Sequence, residues 1–348
     1  MSGYTLVLVS DRSNQIDHQL HFDHLLNKFN LKKTSAVDDL SNNSYNINVY
    51  KFNYQGTSHD DGQLSKQFHD YLDNKSIDFY FNNDNHYGNQ RKLAAFDMDS
   101  CIIKNECIDE MAVIMGVSDK VSEITKKAME GHYNFDEALR ERLNLLKGMT
   151  CEQLEMVWEK IELNAGAYTL IKTLKYLGFK VALVSGGFTY YSYRIGSRLG
   201  FDYVFSNQLE IIDNKLTGKV IGSIVNGQMK KALLEKLTEL NGLEQKHTVS
   251  MGDGSNDKLM VQYSDLGIAY HAKSILKAAT PYHITFTPLS TLCIYLPNYK
   301  DIKDSDILDG FQNKELITKS VHSIPQYQTL IDQYKNDLSI KNNLIIIE

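Results

Sequence analysis

The chain has 348 residues, 42% hydrophobic and 23% charged, with 37 Lys and Arg against 43 Asp and Glu for a net charge of −6. That length holds two or three domains with real cores, and the balance excludes a disordered, collagen-like or coiled-coil chain. A net negative chain offers no basic footprint for a phosphate backbone, so nucleic acid is not an expected partner.

The four cysteines, Cys101, Cys107, Cys151 and Cys293, form no CxxC pair and no disulfide-scaffold spacing, which fits a cytoplasmic setting. The apolar run at the start stops at Val9 without the basic flank of a signal peptide. No stretch approaches the roughly 20 apolar residues of a membrane helix, so no membrane partner is expected.

In chain order, Tyr4 to Val9 reads as a strand, Asp17 to Lys28 as a helix and Ile47 to Phe52 as a strand. A helix over Gln63 to Leu72 and a strand over Ile77 to Phe81 complete a small α+β module, residues 1–90. The Asn- and Gly-bearing segment 82–91 has the composition of a linker.

From Leu93 the pattern changes to apolar strands, each followed by helical periodicity: Leu93 to Phe96, Val181 to Val184, and Thr248 to Met251. Such strands, bounded by Gly, Ser or Asp, predict an α/β core built on a Rossmann-like parallel sheet over residues 91–290. Between the first two lies an insert, 107–164, that is almost wholly helical, with Thr150 and Gln153 at capping-box spacing. It has the size of a cap over a site. All four prolines, Pro281, Pro288, Pro297 and Pro325, fall late in the chain. Residues 291–348 are read as a C-terminal extension that decorates the fold or docks elsewhere.

Phe96-Asp97-Met98-Asp99-Ser100 ends the first core strand. Alternation along a strand would set Asp97 and Asp99 side by side at the edge where open α/β sheets bind ligands. Two close carboxylates repel unless a cation lies between them, and an all-oxygen donor set suits Mg²⁺. A second acidic turn, Met251-Gly-Asp253-Gly-Ser-Asn256-Asp257, follows another apolar strand and lacks the alternation of an EF-hand. The third piece is Ser185-Gly186-Gly187-Phe188, a strand-to-helix turn able to cradle an anion. Lys230 opens an amphipathic helix upstream of the Asp253 strand. Taken singly, the glycine turn and the lysine are equally an ordinary connection and a solvated helix face.

In this order, the four pieces resemble the haloacid dehalogenase superfamily. Glu106-Cys-Ile-Asp-Glu110-Met, Met129 to Phe135, Ala138-Leu-Arg-Glu-Arg142 and Leu216-Thr-Gly218 narrow the resemblance to its phosphoserine phosphatase family, over about residues 93–290. The resemblance implies a haloacid dehalogenase-like core with a helical cap and a Mg²⁺-dependent hydrolysis of O-phospho-L-serine through an aspartyl-phosphate. It makes Asp97 the nucleophile and Asp99 the acid and base, and places the metal on Asp97, the Asp99 carbonyl and Asp253. Ser185, Gly186 and Lys230 would hold phosphate, while Glu106, Met129, Phe135, Arg142 and Asn256 would meet the substrate, with Asp257 supporting them. It further implies a small-molecule substrate and allows a homodimer. Cys101 departs from the family pattern at a packing position, and Lys231 beside Lys230 is an alternative for the phosphate lysine. Two readings stay open: transfer or hydrolysis of another small phosphomonoester, and an amino-acid-binding regulatory protein with a vestigial core.

Overall fold

A computed structural model describes residues 3–11, 13, 16–28, 32–33, 38–39, 47–55, 61–83, 92–296 and 344–345. Most of the linker segment, 84–91, and most of the C-terminal extension lie outside the described residues.

The first unit is an antiparallel sheet in the order β2-β4-β1-β5, with β3 beside β4. Its strands are β1 (Gly3–Asp11), β2 (Lys32–Lys33), β3 (Asp38–Asp39), β4 (Ile47–Gln55) and β5 (Asp78–Asn83), with helices α1 (His18–Lys28) and α2 (Asp61–Leu72). The α+β character follows the sequence reading. One feature of β1 is informative in physical terms: Leu6, Val7, Leu8 and Val9 are all buried, so both faces of the strand are covered. Leu6 and Leu8 pack with Phe22, Leu25 and Phe68 of the helices. Val7 and Val9 face the other way and join the main core of the chain.

β5 splits in the same way. Phe79 and Phe81 enter the small core, whereas Tyr80 joins the main one and Asp78 is buried against residues 285–287. Burial pushes the Asp78 carboxyl up from an ordinary 3.8 to about 6, although its hydrogen bonds favour the charged form. A folded value above the unfolded one means that this group stabilises most below about pH 4, and that the contribution is lost as pH rises through about 6. The loss of melting temperature caused by Asp78→Asn, measured by calorimetry, is therefore expected to be larger near pH 5 than near pH 7.5. The opposite trend would show that the charged form is the one the fold favours.

The second unit is an α/β core. Its sheet runs β12-β11-β10-β6-β7-β8, all parallel, with β9 and β13 antiparallel on β8. These strands are β6 (Leu93–Phe96), β7 (Lys180–Phe188), β8 (Tyr203–Ile212), β9 (Lys215–Ile221), β10 (Thr248–Gly252), β11 (Leu266–Tyr270), β12 (Tyr282–Ile284) and β13 (Leu344–Ile345). β6 and β10 are buried at every position, which is why they read as continuous apolar runs. Helices α7 (Ala167–Tyr176), α8 (Thr189–Leu199), α9 (Gly227–Leu240), α10 (Lys258–Tyr263), α11 (Ser274–Lys277) and α12 (Thr291–Tyr295) accompany the sheet. α12 is not surface decoration, because Leu292, Cys293 and Tyr295 are buried in the main core.

The insert forms α3 (Cys107–Met115), α4 (Ser118–Met129), α5 (Phe135–Leu145) and α6 (Cys151–Trp158). Thr150 and Gln153 make the expected capping box at α6, and Asn134 and Glu137 make another at α5. The β8–β9 hairpin, not foreseen from the sequence, props this bundle. Its turn residues Asp213 and Asn214 both adopt left-handed φ, 49° and 63°, as a two-residue hairpin turn requires. Its strand then exchanges Gly148 N–H to Leu216 O (2.8 Å) and Leu216 N–H to Met149 O (2.8 Å).

Candidate active site

Parallel register brings the sequence motifs together. Phe96 is level with Met251 on β10 and with Leu183 on β7, so Asp97, the Asp253 turn and the Ser185 turn emerge side by side at the C-terminal sheet edge. The Asp97 N–H still donates to Met251 O at 3.0 Å. The strand itself stops at Phe96. Asp99 therefore lies in an irregular turn, Met98–Ile102, and not in strand alternation with Asp97; Ser100 at φ 55° turns the chain just beyond it.

Lys230, at 0% relative exposure, lies beneath this edge. Its Nζ is 2.8 Å from Asp97 Oδ1 and 2.7 Å from Asp257 Oδ1. Burial alone would lower its pKa, but the two carboxylates hold it well above the ordinary lysine value. Lys231 is instead paired with Glu235 on the half-exposed face of α9, which separates the two adjacent lysines. Asp257 Oδ2 accepts from the Asp253 and Gly254 N–H groups, both at 3.1 Å, so both its oxygens already have protein partners. Gly252 is required there, since a Cβ would collide with the Asp257 carboxyl.

Carboxylates outnumber cations at this floor. Burial and the charges of Asp257 and Asp253 push Asp97 up, against Lys230. Burial and Asp257 likewise raise Asp253 to about 6, although Lys273 stands 3.3 Å from its Oδ2. Asp97, Asp253 and Asp257 each place a carboxylate oxygen within 4.8 Å of the others, a donor set that fits a hard cation.

Asp99 accepts the Cys107 N–H at Oδ1, 3.1 Å, while burial and then the Glu106 charge raise its carboxyl to about 7. Its other oxygen lies where a side chain on Gly187 would stand. Gly186 is equally constrained, because a Cβ there would come within 2.9 Å of the Phe135 ring. The glycine pair thus makes room for a carboxylate and for a cap residue. Ser185 Oγ accepts from Gly187 N–H at 2.8 Å, which leaves its own proton to donate.

A cavity of about 760 Å³ lies between this floor and the cap. Asp97, Asp99, Glu106, Met129, Phe135, Arg142, Gly186, Asp253 and Asn256 line it, while Ser185, Lys230 and Asp257 are buried below. Met129 ends α4 and Phe135 starts α5, so both hang from the same turn of the cap. Glu106 is held by Ser100 Oγ at 2.7 Å, and Arg142 rests its Nε on Ala138 O at 3.2 Å. The buried thiols of Cys101 and Cys107 are pushed far up; Cys101 packs as a small apolar group, while the Cys107 thiol also hydrogen-bonds Asp99.

Three lining or supporting residues escaped the sequence reading. Asp109 also lines the cavity and lies one turn from Glu106 on α3, a spacing that could have flagged it. Ser100 and Lys273 carried no comparable signal, because their partners are set by the bend and by the β11–α11 connection.

The profile of the haloacid dehalogenase-like hydrolases matches residues 91–265. The phosphoserine phosphatase of Methanocaldococcus jannaschii is 44% identical over 188 residues, covering 54% of this chain and 89% of that protein. The chain belongs to the haloacid dehalogenase-like hydrolases, in their phosphoserine phosphatase family. The phosphoserine phosphatase of Archaeoglobus fulgidus is also 44% identical, over 191 residues, but there the match spans just 56% of the relative's length and 55% of this chain. A solved phospho-aspartyl intermediate analogue of phosphoserine phosphatase shares 42% identity with a TM-score of 0.57, covering 60% of this chain and 99% of that one. A haloacid dehalogenase family hydrolase from Salmonella enterica reaches a TM-score of 0.74 at 26% identity, covering 84% of this chain and 99% of that one. Coverage of 84% exceeds what all the residues from 92 onward could supply, so that likeness extends into the N-terminal unit.

Proposed function

We propose that the chain is a phosphoserine phosphatase that hydrolyses O-phospho-L-serine to L-serine and phosphate through an aspartyl-phosphate on Asp97. The observation that carries this reading is the pairing of a buried, lysine-held Asp97 with an Asp99 whose carboxyl is raised to about 7. An Asp97 oxygen attacks phosphorus as the P–O bond to the seryl oxygen breaks, and Asp99 gives that oxygen its proton. Asp99, now charged, takes a proton from the water that attacks the acyl-phosphate, which returns both carboxyls to their starting forms. A carboxyl near 7 suits both halves of this cycle at neutral pH.

Lys230 spends two of its three N–H groups on Asp97 and Asp257, and the third, with the Ser185 hydroxyl and the Gly186 amide, holds the phosphoryl oxygens. Mg²⁺ is the metal that we propose, on Asp97, the Asp99 carbonyl and Asp253, where it would supply positive charge against the phosphoryl oxygens. Asp257, saturated by protein donors, supports that set, and Asn256 completes the rim.

Glu106 and Arg142 answer the amine and carboxylate of the amino-acid part, with Met129 and Phe135 closing over it. Arg142→Ala is expected to raise KM for phosphoserine by about 10- to 100-fold with a smaller change in kcat. An equal loss with p-nitrophenyl phosphate, which has no carboxylate, would remove the cap assignment.

The decisive assay is phosphate release from phosphoserine, phosphothreonine, phosphohomoserine and p-nitrophenyl phosphate, with Mg²⁺ and with EDTA. Turnover confined largely to phosphoserine and abolished by EDTA is expected. Equal turnover of all four would favour a broader phosphomonoesterase, and no turnover would overturn the reading.

A further inference from the structure

The N-terminal sheet rests on a segment that the proposed chemistry does not use, residues 285–290. Asp78 on β5 is the main attachment. Its carboxylate accepts from Thr285 N–H at 2.7 Å, Phe286 N–H at 3.0 Å and the Thr287 hydroxyl at 2.6 Å. Around it, the Tyr282 hydroxyl donates to Phe81 O at 3.2 Å, Ser65 Oγ donates to Pro281 O at 2.5 Å, and the Tyr80 ring stacks on Tyr295 at 4.7 Å. A buried carboxyl that accepts from two consecutive main-chain amides and a hydroxyl fixes where that backbone segment lies.

The far end of the same segment touches the root of the cap. Leu289 N–H donates to Ala165 O at 2.9 Å. Gly166, at φ 80°, is pressed so closely on Ser290 that a Cβ would come within 2.6 Å of its backbone N. Residues 162–166 are where the cap chain returns to the core, and they are tied to the outgoing chain. Lys104 N–H donates to Glu162 O at 2.9 Å, Asn164 N–H to Ile102 O at 2.9 Å, and Asn164 Nδ2 to Cys101 O at 2.7 Å. Both connections of the cap therefore meet at one place, two residues beyond Asp99 on one side and beside Leu289 on the other.

We propose that the N-terminal unit is a positioning element for the active site: Asp78 fixes residues 285–290, these fix the root of the cap at Ala165–Gly166, and the cap is thereby held in register over Asp97 and Asp99. Asp78 touches no substrate and acts through the segment it binds. The contacts form one continuous path of hydrogen bonds and packed backbone, the kind of network through which such coupling can be carried. The kinetic part of this inference rests on the phosphoserine phosphatase reading.

The test uses the full chain with Asp78→Ala and Asp78→Asn, the second keeping shape and one acceptor in case the first does not fold. Hydrogen exchange is followed at the amides of 101–105, 162–166 and 285–290, and steady-state kinetics are measured on O-phospho-L-serine with Mg²⁺. Faster exchange at Lys104 and Asn164 is expected in both variants, more in the alanine variant. KM is expected to rise by about fivefold to tenfold with kcat within about twofold. A structural role alone would speed exchange at 285–290 and leave 101–105, 162–166 and KM unchanged, and that result would overturn the proposal. Inactivity of the unaltered chain on phosphoserine would instead overturn the substrate assignment, while exchange at the cap root would still decide the coupling.

Discussion

Asp97→Asn is expected to yield a folded protein whose phosphate release from phosphoserine falls by about 10⁴-fold or more, because the amide cannot form the aspartyl-phosphate. Quenched protein should carry no phosphoryl adduct, whereas the unaltered chain should. The substitution also relieves a strained floor: burial, Asp257 and Asp253 all disfavour the Asp97 charge. The metal-free variant should therefore melt no lower than the parent. Lys230 keeps Asp257 at 2.7 Å, so the buried ammonium is not left alone. Unchanged turnover would remove Asp97 as the nucleophile, and a collapsed melting temperature would mean that its ion pair with Lys230 is a major source of stability.

Lys230→Met should have the opposite balance. Methionine fills similar space, but it leaves Asp97 and Asp257 buried with no cation within contact among the described residues other than what the solvent supplies. Breaking a buried pair from one side costs on the order of 3–5 kcal/mol. For a chain of this size that corresponds to a fall of about 4–7 °C in melting temperature. Activity should fall as well, since on the proposed reading the third N–H of Lys230 holds a phosphoryl oxygen. Added Mg²⁺ is expected to recover more melting temperature in this variant than in the parent, because a divalent cation is then the only strong counter-charge for Asp97. Lys231→Met, on the half-exposed face of α9, serves as the comparison and should change neither property appreciably. Equal effects from the two lysines would reverse their assignment.

Asp97, Asp253, Ser185 and Lys230 stand at the ends or starts of elements with strong apolar periodicity, so their place at one sheet edge follows from strand, turn and helix order. Glu106, Arg142, Met129 and Phe135 were legible through the family resemblance, because on periodicity alone they are charged or apolar positions of amphipathic helices.

The sequence by itself determined the α/β core, the helical insert, the α+β character of the N-terminal unit and the residue types that phosphoryl transfer needs. All of these rest on local periodicity, capping and turn chemistry, which act within a few residues. Tertiary structure decided the rest. Strand alternation does not reach Asp99, because β6 ends at Phe96 and Asp99 sits in the irregular turn Met98–Ile102. Parallel register makes Met251 and Leu183 neighbours of Phe96. The burial that lifts Asp99 to about 7 depends on the cap and on the space left by Gly187. The second apolar face of β1 and the buried Asp78 also gain meaning only from what packs on them. A carboxylate's pKa and a strand's outer face are properties of the groups brought near from distant parts of the chain, and the sequence order carries no direct record of that proximity.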